Sequence, residues 1–136
     1  MVSVGKENIR FWKIKASGNI AGNSITLNSA GRDQIFSAFD FEIGKDANAV
    51  PGTRDKAAIN ALRIKNVLAV TLSGKLFVVS YSNKALDKVI QIHNAAVHNV
   101  QIAFDKSFVL TATEDGFLRL WRGNLEFSNS RGSIVF

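Results

Sequence analysis

TATEDGFLRLWR, Thr111–Arg122, sets an Asp-Gly pair between two alternating apolar runs and closes on a tryptophan six residues after the aspartate. Asp-Gly between alternating hydrophobics is the strongest short-range signal for a β-hairpin. Only two tryptophans occur in the chain, and the other, Trp12, closes a run of the same shape, MVSVGKENIRFW. A third copy, LAVTLSGKLFVV (Leu68–Val79), carries valine where the tryptophan would stand. Shifting Thr111–Arg122 back by 42 residues lays Gly116 on Gly74 and Leu118 on Leu76. Shifting by 109 lays Leu118 on Ile9, Arg119 on Arg10 and Trp121 on Trp12. A self-similar period of roughly 40 to 45 residues is the mark of repeated four-stranded units.

Period-two alternation dominates the rest, with Val, Ile, Phe and Thr plentiful and one proline in the chain. This pattern predicts strands over 1–4, 8–15, 24–28, 35–43, 61–71, 75–81, 88–93, 98–104, 107–113 and 117–122. Turns are expected at Ser73-Gly74, at 105–107 and at Glu114–Gly116. The segment 44–58, GKDANAVPGTRDKAA, holds that proline and dense charge, and reads as a long loop insertion. RDKAAINAL, 54–62, offers a short helical turn as the alternative.

The repeat resembles the WD-repeat β-propeller family, best over about Lys88 to Arg122. By that resemblance His98 takes the place of the family's Gly-His, although Val97 stands where glycine is usual. Thr111 matches the strand hydroxyl, Asp115 the turn aspartate and Trp121 the blade tryptophan. The resemblance implies that these four form a buried hydrogen-bond network. Such a network is chemically sound, because a buried indole N–H needs an acceptor and a hydroxyl can link it to an imidazole. The other copies depart from the pattern: Ser73 replaces the aspartate and Val79 the tryptophan in one, and Lys6 replaces the aspartate in the other. The expected fold is all-β, with antiparallel four-stranded blades of a partial propeller. At roughly 40 to 45 residues per blade the chain holds about two and a half to three of them. The expected division is 1–43 as partial blades, 44–58 as the insertion, 59–87 as a degenerate blade, 88–122 as the best-matched blade and 123–136 as a tail or the start of another. Closed propellers have four to eight blades, so an isolated arc is expected to self-associate through open strand edges. The order VSVGKENIRFWKIK, SITLNSAGRDQIFSAFDFE, insertion, SGKLFVV also looks like one WD-repeat branch tied to centrioles, basal bodies and ciliary microtubules.

Chemistry other than binding finds little support in the residues. With no cysteine there is no disulfide, thiolate metal site or redox pair, a composition at home in a reducing, cytoplasmic or cytoskeletal setting. No run approaches the roughly 18 to 20 apolar residues of a membrane span, and the N-terminus does not read as a secretory signal. His93, at the end of an expected outer strand, lacks partners at zinc-ligand spacing. Glu114 and Asp115 are adjacent, so their side chains diverge on a hairpin. Asp40 and Glu42 share a strand face and read as solvated positions. No nucleophile elbow or phosphate-binding glycine loop occurs. A non-catalytic chain without metal or cofactor is expected, with other proteins as partners.

The 17 Lys and Arg against 11 Asp and Glu leave a net charge of +6, which suits an acidic partner. The resemblance to the centriolar branch makes tubulin or a centriolar protein the candidate, and Lys13, Lys15, Arg32, Arg54 and Lys56 the candidate contacts. A generic assembly scaffold and a nucleic-acid-associated propeller using the same bases are the alternatives. RFWKIK does interleave aromatics with bases, but Trp12 aligns with the blade tryptophan, which favours burial over base stacking.

Overall fold

Valine, isoleucine and phenylalanine on alternate positions make ten strands of this chain among the described residues, and each consecutive set folds back on itself. A computed structural model of the protein describes residues 1–45, 62–103 and 107–122. The first sheet comprises β1 (Val2–Gly5), β2 (Asn8–Ile14) and β3 (Ile20–Ser24) in that order. The middle sheet is β4 (Phe36–Lys45), β5 (Leu62–Thr71), β6 (Lys75–Ser80) and β7 (Ala85–Gln91), again in chain order. The third is β8 (Val97–Ile102), β9 (Phe108–Thr113) and β10 (Leu118–Arg122). Every pairing within the three sheets is antiparallel.

The 42-residue repeat is visible in the turns. Gly74 and Gly116 sit at φ +84° and +86°, where glycine is free and other residues are strained. Each donates its N–H to a threonine carbonyl three residues back, Thr71 and Thr113, at 3.1 Å. The β1–β2 turn departs from this form. Gly5 pairs with Asn8 around two residues, whereas the Thr113 N–H reaches the Phe117 carbonyl around three. The first sheet is therefore one turn residue short of the repeat.

Apolar side chains fill both faces of the middle sheet. Val67, Ala69, Phe77 and Val79 join Ile9, Phe11 and Phe36 in one cluster, against the first sheet. Leu68, Val70, Leu76 and Val78 join Val97, Val109 and Trp121 in another, against the third. Burial on both faces explains the unbroken apolar runs Val67–Val70 and Leu76–Val79, since neither set of alternate positions is left for solvent. Across the second cluster, β4 and β8 are tied by polar contacts. Ser37 Oγ donates to the Val97 carbonyl, and Asp40 Oδ2 accepts the Ile102 N–H at 2.7 Å.

Two boundaries differ from the sequence expectation. The strand expected over 24–28 runs instead over Ile20–Ser24. Ile25 and Leu27 are buried beyond the strand end, ahead of a 3-10 turn at Asn28–Gly31. Their alternation imitates a strand, while the true outer strand shows no apolar face to read, with exposed Ile20, Gly22 and Asn23. The strand order also crosses the expected divisions. β4 opens the middle sheet rather than ending the first segment, and Lys88–Gln91 belong with β7 in that sheet rather than with β8–β10. Of the expected insertion over 44–58, Gly44 and Lys45 close β4 and the rest lies outside the described residues. The helical alternative over 54–62, apart from Leu62, lies outside them too, as do residues 105–106 of the expected turn and the segment 123–136.

The paired glycine turns generate a test. A Cβ on Gly116 would meet open space, but on Gly74 it would run into the backbone carbonyl of His93. Gly116→Ala should lose only the left-handed backbone penalty, about 1–2 kcal/mol. Gly74→Ala should lose that and more, because backbone must also move. Urea unfolding of both variants measures the difference, and equal losses would mean that the Gly74 contact carries no weight.

Candidate functional site

The link between β7 and β8 carries a histidine that both sheets hold. Gly74 accepts the backbone N–H groups of Ile92 and His93 on its carbonyl, at 3.0 and 3.1 Å. Gln91 adds a side-chain clamp, its Nε2 donating to the Ser73 carbonyl at 2.9 Å and the His93 carbonyl at 2.6 Å. The β5–β6 turn of the middle sheet thus fixes the backbone of His93, and the ring projects into the third sheet.

Only 3% of His93 is exposed. Its Nε2 lies 2.8 Å from Thr111 Oγ1, and the same oxygen accepts the Trp121 indole N–H at 3.0 Å. The His93 and Trp121 rings meet edge to face, centroids 5.5 Å apart. On the opposite side of the imidazole, an Arg119 guanidinium nitrogen contacts Nδ1. Arginine can only donate, so Nδ1 must be a bare acceptor and the ring proton must sit on Nε2. Thr111 Oγ1 consequently receives two donors, one from each ring. Protonating His93 would place an N–H against the guanidinium. Burial first, and the Arg119 charge second, push its pKa down to about 4, with Asp115 acting weakly in the other direction.

Asp115 serves a different contact. It is exposed and accepts a hydrogen bond from Thr113 Oγ1 within its own turn, which is the main reason its carboxyl is held below the ordinary aspartate value. It reaches His93 through charge alone, and Arg119, not the aspartate expected in the network, contacts Nδ1.

His98 is not the imidazole of this cluster; His93 is. In β8, Val97 pairs with Thr113 and Asn99 with Ala112, which leaves His98 as the extra residue of a bulge, exposed to solvent. The apolar positions Val97, Val100 and Ile102 do break period two at that point, and this was the available signal. Nothing comparable marks His93, which lies in a link without periodicity.

The tryptophan–hydroxyl pair recurs in the first sheet. Trp12 Nε1 donates to Ser3 Oγ at 2.8 Å. Its ring covers Gly22 so closely that a Cβ there would lie 2.6 Å from the ring carbons. An ungapped shift aligns Val2 with Thr111; the shorter turn moves the hydroxyl to Ser3. In the middle sheet the equivalent positions, Ala69 and Val79, are fully buried and apolar. Glu42, expected to be solvated, is only 4% exposed. Asp40 is half-buried and accepts the Phe41 N–H as well as that of Ile102.

Three consecutive antiparallel sheets, packed face to face through two apolar layers, have a close counterpart among solved structures. The β-propeller domain of Cps50 (Swd1) from Myceliophteria thermophila matches with a TM-score of 0.65 at 12% identity, over 98% of this chain and 38% of that one. The fold is that of a partial β-propeller. Its sheets are blades, and the site joins the middle blade to the third. In sequence, the chain is 27% identical over 125 residues to Centriole proteome protein 16 of Chlamydomonas reinhardtii, covering 89% of this chain and 6% of that protein. The propeller segment thus spans a small fraction of that relative's length. No family model matches the chain.

Among the described residues, the expected contact bases Lys13, Lys15 and Arg32 do not form one patch. Lys13 and Lys15 are exposed at the end of β2. Arg32 is exposed at the other end, beside Asp33, whose N–H donates to Glu7 in the β1–β2 turn. The length of β2 separates the two groups by roughly 20 Å. Arg54 and Lys56 lie outside the described residues. Among the described residues no group of three or more His, Cys, Asp or Glu could hold a metal ion. No described helix is long and apolar enough to cross a membrane.

The buried neutral imidazole makes stability depend on pH. Between the ordinary histidine value of 6.5 and about 4, the unfolded chain takes up a proton that folded His93 refuses. Stability is therefore complete above that window and falls as pH drops through it, by at most about 3 kcal/mol. His93→Gln should flatten this part of the profile of urea midpoint against pH. At pH 7, His98→Gln should leave the midpoint in place while His93→Gln lowers it. A profile unchanged by His93→Gln would contradict the assignment.

Proposed function

We infer that this segment is a non-catalytic protein-interaction scaffold that works in centriole, basal-body or ciliary microtubule architecture, within the cytoplasmic cytoskeleton. The carrying observation is the likeness to Centriole proteome protein 16 over 89% of the chain, set on a propeller fold. A β-propeller offers rigid blades with exposed loops and edges, which suits holding partners rather than transforming substrates. The described polar groups of the site fit that role, since Thr111, His93 and Trp121 satisfy one another inside the fold and leave no reacting group open to a substrate.

The net charge of +6 supports an acidic partner surface, with tubulin the candidate. Lys13 and Lys15, adjacent at one end of the first blade, are the contacts to test. Pelleting with microtubules should fall steeply between low and moderate salt as screening shortens the reach of exposed bases. It should weaken after removal of the acidic tubulin tails, and again when Lys13 and Lys15 are both changed to Glu without loss of fold. Salt-independent pelleting, or pelleting indifferent to the tails, would reject tubulin contact through charge. Preferential binding of RNA at matched ionic strength would replace it with the nucleic-acid reading.

A further inference from the structure

Among the described residues, two apolar sheet faces lie open at opposite ends of the arc. In the first blade Ile9 and Phe11 turn toward the middle blade, so the alternate positions Trp12 and Ile14 turn away from it. Their cross-strand partners Gly22 and Ile20 share that outer face. Ile14 is 65% exposed and Ile20 57%. In the third blade Val109 and Trp121 turn toward the middle blade. Leu110, Ala112, Leu118 and Leu120 therefore turn away from it, paired as Leu118–Ala112 and Leu120–Leu110. Leu118 is 40% exposed, and Phe108, on the same face, 38%.

The internal repeat indicates what each face fits. Moved back by 42 residues, Leu110, Ala112, Leu118 and Leu120 fall on Leu68, Val70, Leu76 and Val78. Those four are in the apolar layer that packs the middle blade on Trp121. The shift of 109 that lays Trp121 on Trp12 also lays Arg119 on Arg10, and each tryptophan donates to a hydroxyl. One end of the arc thus presents the tryptophan side of a blade joint, and the other end presents the aliphatic side. Within one copy the two sides cannot meet, because they face away from each other across the middle blade.

We propose that a second copy of this chain covers these faces head to tail, with the Trp12 face of one copy seated on the Leu118 face of the other. Such a contact is heterologous, and it closes into a ring when the rotation between copies allows. Two arcs of three sheets supply six blades, within the four to eight of closed propellers. Burial of apolar side chains on both faces drives the association. The joint uses side-chain faces rather than the backbone ladder of an open strand edge. It rests on the propeller fold and is independent of microtubule contact.

Sedimentation equilibrium of the whole 136-residue chain tests the joint. The average mass should climb from 14.8 kDa toward twice that value as concentration rises through the ~µM range. Ile14→Glu and Leu118→Glu should each hold the chain at the monomer mass, since either one buries an unpaired charge in every joint. An equimolar mixture of the two variants should recover association, because the intact Trp12 face of one meets the intact Leu118 face of the other. Unchanged urea midpoints would show that both variants keep the fold; if one does not, Ile20→Glu or Phe108→Glu takes its place on the same face. A monomer at every concentration would overturn the joint and leave these faces to other segments or another protein. Association that survives either variant, or that mixing fails to recover, would mean pairing by another surface and would overturn it as well.

Discussion

A single histidine joins two blades, with its backbone held by one and its ring by the other. Gly74 and Gln91 of the middle blade fix the main chain at His93, and Thr111, Trp121 and Arg119 of the third blade surround the imidazole. The apolar layer between these blades is non-directional and would tolerate sliding. Hydrogen bonds to a ring with one donor and one acceptor do not. The His93 geometry, together with the Ser37–Val97 and Asp40–Ile102 hydrogen bonds between β4 and β8, therefore sets the angle at which the third blade meets the middle one. The neutral state of the ring is a condition of that geometry, because only an unprotonated Nδ1 can face Arg119.

Much of the fold was legible because it rests on period-two alternation and on glycines at left-handed turn positions. The 42-residue shift from Gly74 to Gly116 matches two turns of the same geometry. Thr111 and Trp121 were singled out from the same repeat, and they share a hydrogen bond. What escaped the reading had no periodic signature. His93 lies in a link whose conformation is dictated by a turn some twenty residues away in sequence. His98 looked suitable only because its place within a bulge is not written in its own side chain. Ser3 was missed because one deleted turn residue separates the frames of β1 and β2. Glu42 was taken for a solvated residue because alternation predicts a face and not whether another element covers it.

The three blades use one scaffold with different degrees of polar reinforcement. The third has tryptophan, hydroxyl and histidine together; the first has Trp12 with Ser3; the middle blade has Ala69 and Val79 and depends on apolar packing from both sides. A central sheet with both faces covered has less need of a directional network. This leaves its end free for Lys65 and Asp87 to bulge around a cavity that Glu42 also lines.

The claim that His93 transmits blade geometry is tested most directly by a double-mutant cycle between Gln91 and Thr111. Gln91→Ala releases the backbone of the link, and Thr111→Val removes the acceptor of the ring. The side chains of Gln91 and Thr111 share no hydrogen bond, so any coupling between them must pass through His93. Urea unfolding of the two single variants and the double variant should give a coupling energy of about 1 kcal/mol. Additivity to within about 0.3 kcal/mol would mean that the two blades hold His93 independently, and would contradict the account.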